Sequence, residues 1–302
     1  MFSQHKKFIW MSLTLVIALG LSACASFFAS QPTSTPPATS TPEPPTATPE
    51  PLALSVNGEG ITLVEFNAEV ARYTAAQSTL GKTIASADAT SAVIEDFIAQ
   101  TLLAQAARSN GFTLDEAGLQ ARMQSLAAQI GGVDALSAWE SEHGYTEQAF
   151  RSALKRAAEA AWMRDKIVTA VPSTAEQVHV QQILAYNEEG AREALEQLNS
   201  GVDFDELAAS PFFDPLTRGD LGWVPRGYLL EPKLEEAAFG LAVGEYSEVI
   251  ATNVGFHIVR ILARDTQHPL SPDAYLSLQE LALKKWIEEQ RQQADIVLTP
   301  RP

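Results

Sequence analysis

Few residues in this chain carry reactive chemistry, and their spacing limits what that chemistry is. Among 302 residues there are five histidines and a single cysteine, Cys24. His257 sits in Thr252-Asn253-Val254-Gly255-Phe256-His257-Ile258-Val259, where strand alternation puts it on one face with Val259 and Ile261. A histidine satisfied within the core fits that position as well as a catalytic one. Val178 to Tyr186 alternates in the same way and sets Val178, Val180, Gln182, Leu184 and Tyr186 on one face. His179, offset by three residues from Gln182, faces the other way. Gln182 can donate and accept hydrogen bonds but cannot titrate. From Leu52 to Val171 there is no metal-ligand spacing, phosphate loop or nucleophile motif. With one cysteine no internal disulfide forms, so packing alone holds the fold.

A length of 302 suits about two domains, and 46% hydrophobic residues supply real cores. The net charge of −16 excludes nucleic acid as a partner, because nothing neutralises phosphates, and disfavours close docking on an anionic membrane surface. Lys6 and Lys7 precede a mostly apolar run from Phe8 to Leu21, right for a signal peptide over 1–23 and short for a membrane-spanning helix. Leu21-Ser22-Ala23-Cys24 directly follows and resembles the bacterial lipobox, which implies acylation of Cys24; a plain cleaved leader with an incidental cysteine is the alternative. Residues 24–51 are nearly all Pro, Thr, Ser, Ala and Glu, a composition that buries too little apolar surface to fold and favours an extended stalk.

Residues 52–171 read as a short strand followed by helices. Leu52 to Val56 alternates up to the turn signal Asn57-Gly58. Thr62-Leu63-Val64-Glu65 and Thr113-Leu114-Asp115-Glu116 have the form of capping boxes. Between them, Val93, Ile94, Phe97, Ile98, Leu102 and Leu103 recur at helical spacing. Trp139, Tyr145, Phe150, Trp162 and Met163 are bulky enough to line an open groove. At the far end, Ser271-Pro272-Asp273 starts a helix, and Asp295 to Leu298 reads as a strand.

The stretch Gly219-Asp220-Leu221-Gly222-Trp223, then Glu235-Glu236-Ala237-Ala238-Phe239, then Thr252 to Val259, resembles the second half of a parvulin-type peptidyl-prolyl isomerase domain, and the likeness extends back to about Glu176. Val56-Asn57-Gly58-Glu59, Ile61-Thr62 and Phe66, followed by helices, resemble the N-terminal module of SurA-like and PrsA-like foldases. The resemblance implies an α+β chain: a helical chaperone module (52–171) completed by a C-terminal helix and strand (271–299), with an inserted parvulin-like domain (176–264) made of a small antiparallel sheet wrapped by helices. It implies that Ile296-Val297-Leu298 pairs near Leu54-Ser55-Val56. It places a proline pocket at Leu221, Leu230 and Leu234 with Phe239 behind, above a polar floor of Gln182, Asp214, Thr252 and His257. The family's first strand usually carries His-Ile-Leu where this chain has Gln182-Ile183-Leu184, and its pocket often has Met and Phe where this chain has Leu230 and Leu234.

The activity so implied is prolyl cis/trans isomerisation with no cofactor and no metal. It would act on unfolded or nascent secreted chains outside the cytoplasm, on a protein anchored to the cell membrane through lipid at Cys24. A non-catalytic holdase of the same architecture is the principal rival. A solute-binding lipoprotein is disfavoured by the lack of alternating strand–helix units.

Overall fold

The computed structural model describes residues 50–210, 213, 217–229 and 231–299. The leader, Cys24 and the stalk up to residue 49, together with Asp214 and Leu230, lie outside these residues. The chain divides into two compact units, one running to Ala161 and resuming at Gln293, the other spanning Trp162–Gln292.

In the first unit, β1 (Leu52–Val56) turns through Asn57 and Gly58, both at positive φ, into β2 (Glu59–Thr62). Asparagine and glycine are the residues that tolerate this backbone in a tight hairpin. β7 (Ile296–Leu298) pairs antiparallel on the other side of β1, with Leu54 opposite Leu298, Ser55 opposite Val297 and Val56 opposite Ile296, as the resemblance implied. Four helices, α1 (Leu63–Thr79), α2 (Ser86–Ser109), α3 (Glu116–Ile130) and α4 (Val133–Glu142), lead to α5 (Glu147–Thr169), within which the division between units falls. Leu54, Val56 and Ile61 of the sheet bury against Phe66 of α1 and Val93, Phe97, Ile98 and Leu102 of α2.

Caps show where local sequence decides and where tertiary contacts override it. Thr62 caps α1 by accepting from the Glu65 N–H at 3.1 Å, but the Glu65 carboxylate turns away to Arg156 instead of closing the box. The second expected capping box does not form. α3 starts two residues later with Asp115 as its cap, accepting from Gly118 N–H at 2.8 Å, while the Leu114 N–H points to the fully buried Glu159 carboxylate. Glu159, which also pairs with Arg108, draws the Leu114 amide out of the capping position.

The second unit is built on β3 (Thr174–Ala185) and β6 (Phe256–Pro269), paired antiparallel along their whole length, with β4 (Asp220–Pro225) beside β3 and β5 (Ile250–Ala251) beside β6. β3 begins four residues before the alternation at Val178 and ends at Ala185, leaving Tyr186 beyond the strand and exposed. One sheet face, with Val178, Val180, Val259 and Ile261, packs on Leu234, Ala238 and Phe239 of α8 (Pro232–Gly240). The other face, with Ile183 and Ile258, packs on α6 (Glu188–Asn199) and α7 (Phe204–Ala208). Helix α9 (Pro272–Gln293) closes the unit, with Ser271 capping it by accepting from the Ala274 N–H.

Where β4 meets β3 the backbones nearly touch. Gln182 N–H donates to Gly219 O at 2.8 Å, Gly219 holds φ at +69°, and a Cβ on it would overlap the Gln182 carbonyl oxygen. Only glycine combines that φ with that approach. Gly219→Ala is therefore expected to destabilise the second unit by about 3 kcal/mol or more, read as a lower urea midpoint, whereas Gly244→Ala, at φ +90° with open space around it, costs only about 1 kcal/mol of backbone strain.

Candidate functional site

The β3–β6 register decides which polar side chains meet. Gln182 stands opposite Val259 and Leu184 opposite His257, so Gln182 and His257 are diagonal neighbours on the face that also carries Val180 and Ile261. The His257 ring, 3% exposed, lies between two partners: Gln182 Oε1 is 2.9 Å from Nδ1, and Thr252 Oγ1 is 2.9 Å from Nε2. Thr252 reaches it because β5 ends at Ala251 and the chain turns through Asn253–Gly255 back into β6. Thr252 Oγ1 also accepts from the Val254 N–H at 3.2 Å, which fixes the turn.

Proton bookkeeping makes this chain of three side chains neutral. Burial pushes His257 below the ordinary histidine value, with Glu231 opposing the shift. A neutral imidazole has one donor and one acceptor. As the Gln182 amide is oriented, Nδ1–H donates to Oε1, which leaves Nε2 as an acceptor facing the Thr252 hydroxyl; that hydroxyl shares its single hydrogen between Nε2 and the Gly255 carbonyl oxygen, 3.1 Å away. Each buried polar atom of the ring is thus satisfied without a charge.

The apolar residues expected around this floor divide. Leu234 and Phe239 are buried on the same sheet face, in the cluster with Val178, Val180, Val259 and Ile261, and Tyr228 and Leu229 pack against it. Leu221 is 37% exposed: it is the extra residue of a β-bulge, since Val180 pairs with Gly222 and Gln181 with Asp220. Asp214 and Leu230 lie outside the described residues. Gln182, Thr252 and His257 are therefore brought together, with Leu234 and Phe239 on their face, while Leu221 is partly exposed in the bulge.

Two groups that support the site have no signal in the sequence. On the opposite face, Gln181 donates to Asp205 and to the Arg218 carbonyl, each at 2.8 Å, and accepts from Arg260, which pairs with Asp205 at 2.9 Å. This network pins the backbone one residue before Gly219, and its hydrogen bonds hold the Asp205 carboxyl below the usual range. Phe239 in turn lies under the Arg226 guanidinium at 4.0 Å, and Arg264 donates to the Phe239 and Leu241 carbonyls; both arginines pair with Glu176. These contacts join different elements of the unit, so only the folded register reveals them. His179, on the same side as Gln181, bonds Asp220 at 2.8 Å and stacks near Trp223, away from the His257 face.

The first unit contains a groove of about 520 Å³ lined by Ala68, Ala71, Ala75 and Ala76 of α1 and by Glu142–Gly144. Beside it Trp139 stacks on His143 and meets Tyr145 and Phe150, while Met163, another of the expected groove residues, is buried. Among the described residues no group of three or more His, Cys, Asp or Glu is placed to hold a metal ion, and no helix is long and apolar enough to cross a membrane.

Comparison with known proteins matches residues 167–263 to the PPIC-type PPIASE domain and residues 11–153 to the SurA-like N-terminal domain. Foldase protein PrsA of Halalkalibacterium halodurans is 36% identical over 107 residues, covering 34% of this chain and 30% of the relative. Periplasmic chaperone PpiD of Haemophilus influenzae is 38% identical over 93 residues, covering 30% of this chain and 15% of the relative. The matched stretches thus span about a third or less of these curated relatives. A crystal structure of peptidylprolyl isomerase PrsA from Bacillus cereus aligns over 78% of this chain and 83% of its own, with TM-score 0.43 and 20% identity.

The His257 environment predicts a pH response. Folded His257 resists protonation, whereas in the unfolded chain it takes up a proton near pH 6.5. Its contribution to stability is complete above about pH 6.5 and is lost as pH falls from there through the depressed folded value. The urea midpoint of the wild type should fall between pH 7.5 and 5.5 more than that of His257→Gln, which keeps hydrogen bonding but cannot titrate. Equal falls in both proteins would refute the assignment. Asp205 and Glu176, whose carboxyls are held low, lose their contributions only under more acid conditions.

Proposed function

We propose that this chain, which joins a SurA-like N-terminal domain to a parvulin-type isomerase domain, catalyses cis/trans isomerisation of X–Pro bonds in secreted polypeptides and assists their folding. The observation that carries this reading is the neutral Gln182–His257–Thr252 chain, lying on the same sheet face as Leu234 and Phe239 within the stretch matched to the PPIC-type domain.

The reaction asks little of side-chain chemistry. Amide resonance holds the X–Pro bond planar behind a barrier of about 18–20 kcal/mol. Twisting the bond localises the nitrogen lone pair and reduces carbonyl polarity, so an apolar surround favours the twisted state over the planar one. In this reading Leu221, Leu230 and Leu234, backed by Phe239, receive the proline ring. Gln182, Asp214, Thr252 and His257 form a polar floor that keeps its geometry while the amide rotates. No proton is transferred and no cofactor or metal takes part. Gln182 fills the position where the resembled family usually has histidine, and it supplies the acceptor for His257 Nδ1–H without adding a second titrating ring.

The leader and stalk give the setting. Acylation of Cys24 would hold the protein on the outer face of the cytoplasmic membrane, each buried methylene adding about 0.8 kcal/mol, and residues 24–51 would space the folded units from the lipid. The matched relative named a periplasmic chaperone supports an extracytoplasmic place. Within that arrangement residues 52–171 serve as the chaperone module, 176–264 as the isomerase and 271–299 as the returning segment.

In a proline-tetrapeptide isomerisation assay the wild type should accelerate exchange over background. Leu221→Ala, at an exposed position whose truncation leaves no core cavity, should lower kcat/KM by about tenfold with little change in stability. No acceleration by the wild type would leave a non-catalytic holdase. In cells, Cys24→Ser should move the protein from the membrane to the soluble fraction, and unchanged fractionation would refute the lipid anchor.

A further inference from the structure

The segment matched to the isomerase family ends at residue 263, yet the turn that precedes α8 meets a helix beyond it. That turn follows β4: Tyr228 N–H donates to Pro225 O at 3.2 Å, and Gly227 N–H donates to Glu235 Oε2 in the first turn of α8 at 2.6 Å. Tyr228 and Leu229, the next two residues, pack against the cluster that contains Leu234 and Phe239. Gly227 has φ +83°, and a Cβ there would overlap Leu281 Cδ2 and lie 3.7 Å from Leu278 Cδ2. The glycine thus lets two leucines of α9 rest directly on the backbone of the turn. Helix α9 is itself fixed: Ala274 is fully buried, Gln279 donates to Val168 O at 3.0 Å, and Tyr275 donates to Val171 O at 3.3 Å.

We propose that Leu281 is a positioning residue for the isomerase site, its side chain pressing the Gly227 turn into the place that sets Tyr228 and Leu229 against Leu234. The proposal rests on the isomerase reading and extends it to a helix outside the matched domain. The physical reason is that Gly227, beside Arg226 whose side chain is tied to Glu176 and Phe239, has more backbone freedom to lose than any other residue type. Contact with α9 removes that freedom. Leu281 is 41% exposed, so shortening it opens no core cavity and leaves the fold intact, whereas the held turn depends on its methyl groups.

The test uses the full-length chain with a proline tetrapeptide as probe. Leu281→Ala should raise KM by about three- to tenfold with kcat nearly unchanged, the signature of lost uniform binding, and should speed amide exchange at Gly227 to Leu229. Leu281→Met should restore both. Leu276→Ala, on the same helix and 57% exposed, should match the wild type. Unchanged amide exchange in Leu281→Ala, or unchanged KM beside an active wild type, overturns the positioning role. A wild type without activity overturns the isomerase reading instead, and the exchange comparison still reports whether α9 holds the turn.

Discussion

The pairing of β3 with β6 is the constraint on which the second unit depends. β3 runs from Thr174 to Ala185 and β6 from Phe256 to Pro269, and their ladder brings residues some eighty positions apart into register. A slip of one residue would move every side chain to the opposite face. Gln182 and His257 would then lose each other, and Ile183 and Ile258 would leave the cluster with α6 and α7. The register is held by both cores at once, by bulges between His179 and Val180 and between Ala175 and Gln177, and by Gly219 lying against the Gln182 carbonyl.

Given that register, the character of the site follows from burial. Charge on the His257 ring is disfavoured by desolvation, so the ring stays neutral and is satisfied by an amide on one side and a hydroxyl on the other. Such a floor offers direction without proton transfer, which matches a reaction in which no bond to hydrogen is made or broken. Among the described residues, two sets of ion pairs take supporting positions: Arg260 with Asp205 beneath the Arg218–Gly219 turn, and Arg226 and Arg264 with Glu176 around Phe239.

The first unit solves a different problem with ion pairs at its centre. Glu159 is fully buried and receives both the Arg108 guanidinium and the Leu114 amide, and Arg156 reaches Glu65 across helices. A buried carboxylate left without such partners would cost several kcal/mol, so these pairs fix which helix faces meet. The same carboxylate accompanies a two-residue shift in the start of α3, an instance of a tertiary contact overriding a local cap.

Much of the architecture was legible in the chain because it is written in local periodicity and local turn chemistry. Alternation marked β3 and β6, helical spacing marked α2, Ser271-Pro272 marked the start of α9, and Asn57-Gly58 marked the first hairpin. The pairing of β7 with β1 was implied by the resemblance to SurA-like and PrsA-like foldases and not by local pattern. Residue types alone also spoke against an internal disulfide, with one cysteine, and against a nucleic-acid partner, with a net charge of −16. The tertiary structure decided what depends on register and on distant partners: that Gln182, Thr252 and His257 form one hydrogen-bonded chain, that Leu221 is the odd residue of a bulge, that Thr113 yields its cap to Asp115, and that Leu281 rests on Gly227. These contacts join residues whose separation along the chain carries no periodic trace, because their meeting is fixed by the packing of whole elements.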